Sequence, residues 1–79
     1  MELIIDDLIV DTGKEVIPAW VLMGDDRLLY SSKSLDDVYG FICNTGLVSN
    51  CERPILLWCA RWTGSMCDGK PVYEWVCEF

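Results

Sequence analysis

Histidine is absent from this chain, and with it the commonest base for activating a cysteine or serine nucleophile. Basic residues are scarce as well. Six Lys and Arg stand against 13 Asp and Glu, for a net charge of −7. Phosphate contact needs clustered cations, so this balance argues against direct nucleic-acid binding. Long apolar runs are missing: the longest uncharged stretch, VYGFICNTGLVSNC, is too short and too polar to span a bilayer. The opening residues MELIIDDLIV are acidic where a secretory signal is basic, and Asp6 and Asp7 break the apolar run. The expectation is a cytoplasmic protein, of the cell or of an infected host, with no membrane association.

Closely spaced cysteines are also lacking. Cys43, Cys51, Cys59, Cys67 and Cys77 are separated by seven residues or more, whereas zinc sites are built on pairs such as C-x2-C. An odd thiol count in a cytoplasmic setting disfavours a disulfide framework. Cys43 and Cys77 read as small core hydrophobes, and Cys67 as an exposed thiol. The segments DTGK and DGK lack the glycine pattern and helix start of a phosphate loop. Lys14, Lys33 and Lys70, which could substitute as a base, all sit in or next to apparent turns. No enzyme, metal or cofactor is therefore expected.

What the chain does contain is ample material for a core. Apolar residues make up 52% and aromatics 11% of 79 residues, enough for one folded domain over 1–79. ELIIDDLIV (2–10) and VIPAWVLM (16–23) read as strands, as does the shorter RLLYS (27–31). Pro18 has no amide proton, which favours an edge position or a bulge. Their short connections point to an antiparallel meander.

The period then changes. Leu35, Val38, Tyr39 and Ile42 recur at helical spacing after Ser34, a good N-cap, with Asp36 and Asp37 in the first turn and Asn44 and Gly46 as the stop. Gly40 in the interior costs about 1 kcal/mol against alanine and is read as allowing close packing.

Asp68-Gly69 signals a two-residue hairpin turn. If it fixes the register, Cys67 faces Lys70, Gly64 faces Tyr73, Trp62 faces Trp75, Ala60 faces Cys77 and Trp58 faces Phe79. All but the first pair then share one face. A longer loop through TGSM would shift this register. The expected fold is α+β: an antiparallel sheet of about five strands, in the order β-β-β-α-β-β, with one helix on one face. That helix is expected on the aromatic face, because a large exposed apolar patch is a liability.

Two readings of the acids follow. Nine of the 13 fall in residues 1–40, against three bases; they either solubilise the protein or steer it to a basic partner. On the second reading Asp6, Asp7, Asp25, Asp26, Asp36 and Asp37 contact the partner, joined by Arg61, Trp62, Tyr73, Glu74, Trp75 and Glu78 of the hairpin. Tryptophan fills cores but also anchors interfaces. The expected function is binding: an inhibitor or modulator that docks on a basic, nucleic-acid-handling protein. In size, charge and expected architecture the chain resembles the small anti-defence proteins of phages and mobile elements, anti-CRISPR proteins among them. The alternatives are a self-associating accessory domain, possible as a homodimer, and a cysteine-based metal or redox module.

Overall fold

A computed structural model describes residues 1–24, 26–46 and 58–76. The described chain forms β1 (Glu2–Ile5), β2 (Leu8–Asp11), β3 (Trp20–Gly24), β4 (Arg27–Ser32), α1 (Leu35–Thr45), β5 (Trp58–Cys67) and β6 (Lys70–Val76). It is an α+β domain with one helix and one six-stranded sheet, ordered β2-β1-β6-β5-β3-β4.

Six strands rather than five arise because ELIIDDLIV is a hairpin. Asp6 takes a left-handed φ of 57° and turns the chain between Ile5 and Leu8, which pair directly. Aspartate tolerates that conformation better than most residues. The Asp6-Asp7 doublet thus sits in a turn and not within a strand.

The sheet is mixed, not purely antiparallel. β1 pairs parallel to β6, with Ile4 beside Val72 and Ile5 beside Tyr73. Short connections force antiparallel neighbours only for consecutive strands, and β1 and β6 lie far apart in sequence. The expected meander is also interrupted, since β3 pairs with β4 and β5 but not with β2. Pro18 lies ahead of β3, outside the ladder that its missing N–H would have broken.

The first and last strands of the order, β2 and β4, come into contact. The sheet therefore rolls towards itself and encloses a core of Leu3, Ile5, Val10, Val21, Met23, Ala60 and Tyr73. Residues 12–19 link β2 to β3, and the Tyr73 hydroxyl donates to the Pro18 carbonyl within this link. Fully buried side chains such as Leu3, Ile5 and Leu22 each contribute about 1.5–3 kcal/mol.

α1 packs on the opposite, outer face. Val38 and Ile42 cluster with Leu22 and Cys59, bordered by Trp20, Leu29, Tyr30, Tyr39 and Phe41. This corrects the expectation that the helix takes the aromatic face. Rolling of the sheet already buries Ala60 and Tyr73 on that side, leaving the helix to cover β3 and β4 from outside.

The helix face of Val38 and Ile42 is as expected. Ser34 holds the N-cap position without a side-chain cap bond. The Ser32 hydroxyl instead accepts from the Ser34 N–H and donates to Asp37. Gly46, at φ 65°, closes the helix with its N–H on the Ile42 carbonyl. A methyl group at Gly40 would meet nothing within 4 Å, so close packing does not explain that glycine.

In the β5–β6 hairpin, Asp68 and Gly69 both take positive φ and Cys67 faces Lys70. Further along, Trp62 faces Tyr73 and Ala60 faces Trp75, with a register shift between Trp62 and Met66. Gly64, at φ 87°, lies inside that bulge. The Thr63 hydroxyl secures it by donating to the Val72 carbonyl, and the Trp62 indole by donating to that of Ser65. The expected Trp62–Trp75 and Gly64–Tyr73 pairs are therefore wrong by two residues. The pairs expected with Cys77 and Phe79 lie outside the described residues.

Candidate binding surface

Strand directions place three turns or strand ends together. β1 ends at Ile5 beside Tyr73 of β6, so Trp75 lies two residues beyond the last paired position, level with the Asp6-Asp7 turn. β3 meets Trp58 at Met23 and then enters the turn carrying Asp26, before β4 starts at Arg27. The same end of the rolled sheet therefore carries Asp6, Asp7, Asp26, Trp58 and Trp75.

Trp58 and Trp75 form an edge-to-face pair, with centroids 5.7 Å apart and planes at 67°. They remain 40% and 38% exposed. Asp6, Asp7 and Asp26 are exposed at the same end of the sheet. Indole faces carry negative electrostatic potential and attract cations, as do carboxylates. The arrangement can hold a lysine or arginine side chain against an aromatic surface.

The other expected site residues are dispersed. Arg61 and Glu74 face each other across β5 and β6 and form a 2.8 Å ion pair on the outer face. Trp62 is 36% exposed and lies towards the hairpin tip. Tyr73 is buried among the core residues at 3% exposure, and burial pushes its hydroxyl pKa up to about 12. Asp36 and Asp37 begin α1, after the Ser32 end of β4 and away from the Asp26 turn. Asp25 and Glu78 lie outside the described residues. Trp58 was not among the expected contacts, although its place on the Trp75 face followed from strand alternation.

A cleft of about 350 Å³ opens between residues 14–18 and β4, lined by Lys14, Val16, Tyr30, Ser31, Lys33 and Asp37 among others. Lys14 Nζ donates to the Ser31 carbonyl at 3.4 Å and stands 5.7 Å from the Tyr30 ring centre. Tyr30 stacks on Phe41, 4.6 Å between centroids. These contacts tie the 12–19 link to β4 and to the helix.

The three described cysteines do not converge. Cys59 is buried under the helix, while Cys43 and Cys67 are exposed free thiols. Cys43 is thus not a core residue; it follows Ile42 by one helical step of 100°, which turns it off the buried face. Among the described residues no group of three or more His, Cys, Asp or Glu is arranged to hold a metal ion. No helix among them is long and apolar enough to cross a membrane. Comparison with protein-family models, curated proteins and solved structures returns no match to this chain.

Proposed function

We propose that this protein is a non-enzymatic binding domain whose acidic, tryptophan-bearing end docks on a basic, nucleic-acid-handling surface of another protein. The observation that carries the reading is the exposed Trp58–Trp75 pair at the same end of the sheet as Asp6, Asp7 and Asp26. Tryptophans in such a position supply apolar contact area, and the surrounding carboxylates speed encounter with a positive surface. Occupying a nucleic-acid site would make the protein an inhibitor or modulator, in the manner of phage or mobile-element anti-defence proteins.

The test is affinity capture from source-cell lysate with wild type and with Asp6→Lys/Asp7→Lys and Trp75→Ala variants, each checked for folding by near-ultraviolet circular dichroism. The expected result is one nucleic-acid-binding protein, released by added nucleic acid and lost with the variants. Capture that the variants leave unchanged would refute the reading.

A further inference from the structure

We propose that the cleft between residues 14–18 and β4 is a binding site for a free α-amino acid with an apolar side chain. The cleft holds about 350 Å³, close to the lower limit of about 300 Å³ for ligand pockets. A single amino acid suits that space better than a nucleotide or a peptide. The cleft opens at the Ser32 end of β4, opposite the end that follows the Asp26 turn. It is therefore separate from the tryptophan-bearing end.

Two lysines supply its cationic part. Among the described residues the Met1 ammonium, Arg61 and Lys70 are ion-paired, whereas Lys14 and Lys33 pair with no carboxylate. That is notable in a chain where acids outnumber bases by 13 to six. Both lysines line the cleft. The Lys14 ammonium donates to the Ser31 carbonyl, and two of its three donors remain. A carboxylate in the cleft gains from both charges.

Asp37 lines the cleft too and accepts from the Ser32 hydroxyl at 2.9 Å. That bond orients the carboxylate and leaves it lone pairs for an ammonium. Glu15 and Asp36 are exposed next to lining residues in sequence but are not part of the lining. These acids decide the class of ligand. A simple anion meets Asp37 and the negative field of the whole protein. A simple cation meets two lysines here, and is better held at the acidic end of the sheet. A zwitterion carries no net charge and satisfies both signs, with its carboxylate on Lys14 and Lys33 and its ammonium on Asp37.

The remaining wall suits an apolar side chain. Val16 is 54% exposed at the cleft, and Pro18 and the Tyr30 ring lie beside it in the lining. Tyr30 is fixed by its stack on Phe41 and Pro18 by the Tyr73 hydroxyl on its carbonyl, so this wall is formed before any ligand arrives. The charges face solvent and are partly screened, which sets the expected Kd at about 1 mM.

The test is a proton–nitrogen NMR titration with L-phenylalanine, 3-phenylpropionate and phenethylamine, which share a ring and differ in their charges. Phenylalanine should shift the amides of residues 14–17, 31–33 and 37 and saturate, while the two single-charge compounds bind the cleft at least about tenfold more weakly. Lys33→Gln should weaken phenylalanine and 3-phenylpropionate alike. Asp37→Asn should weaken phenylalanine but strengthen 3-phenylpropionate, an opposite pair of effects that structural damage would not produce. No shift in the cleft at about 50 mM phenylalanine overturns the proposal. So does 3-phenylpropionate binding as well as phenylalanine to the wild type, which would make the cleft a simple anion site. Neither outcome bears on docking through the tryptophan end, which uses different residues.

Discussion

Replacing Tyr73 with phenylalanine removes one oxygen from the centre of the fold and should cost about 2 kcal/mol. Tyr73 is 3% exposed, and its hydroxyl donates to the carbonyl of Pro18, itself a buried residue. The substitution preserves the ring and its packing, so the loss is confined to the hydrogen bond and the stranded acceptor. A net hydrogen bond is worth about 0.5–1.5 kcal/mol, and leaving a buried partner unpaired costs about 1–3 kcal/mol. A domain of this size has about 4–12 kcal/mol in total. At about 4–8 °C per kcal/mol, Tm should fall by about 8–16 °C.

Thermal unfolding followed by near-ultraviolet circular dichroism measures the shift. The same residue marks the alkaline limb. Burial raises its pKa from the ordinary 10.0 to about 12, so the neutral hydroxyl is favoured in the folded state. Its contribution is fully present below pH 10 and is lost as pH rises from 10 towards 12. The variant should lack that component of alkaline destabilisation. A Tm within about 1 °C of wild type would show that the Tyr73–Pro18 hydrogen bond contributes nothing to stability. Ionisation of Tyr73 near pH 10, read as the difference in absorbance titration between wild type and the variant, would contradict the raised pKa independently.

Gly40→Ala should stabilise the protein by about 1 kcal/mol in denaturant unfolding, because the position is helical and the added methyl meets no neighbour; a loss of stability would show a hidden clash. Asp11 accepts from the Gly13 N–H and sits against the Met1 ammonium, which together hold its pKa below the ordinary 3.8. Asp11→Asn should therefore remove a small stabilisation that is present above pH 3.8 and lost as pH falls through the depressed value. The difference in urea midpoint between the two proteins should be largest at neutral pH and shrink as pH falls below 3.8.

The helix, the Asp68-Gly69 turn and the α+β class were legible in sequence because each rests on local chemistry: helical spacing, a paired turn and alternating strands. The split of residues 2–10 was hidden, since two aspartates inside an apolar run serve equally as solvated strand positions or as a turn. Parallel pairing of β1 with β6 is a long-range contact that no local pattern encodes. The bulge around Gly64 moved the final hairpin by two residues. A shift of two preserves side-chain alternation, so the faces were right while the pairs were wrong. The side taken by the helix depended on rolling of the sheet, a property of all six strands together. Of the acid doublets, Asp6-Asp7 could be brought to Trp75 only by that topology, and Asp36-Asp37 was carried away from it by the same means.

The proposed function rests on recognition of cationic groups at the Trp58–Trp75 end. The most direct measurement is a proton–nitrogen NMR titration with an arginine- and lysine-rich peptide, because the four indole N–H groups report separately. The Trp58 and Trp75 indole signals and the Asp6, Asp7 and Asp26 amides should shift together. Those shifts should diminish as salt is added, while Trp20 and Trp62 stay in place. Shifts centred on Trp62 or on the start of α1, or none at about millimolar peptide, would contradict it.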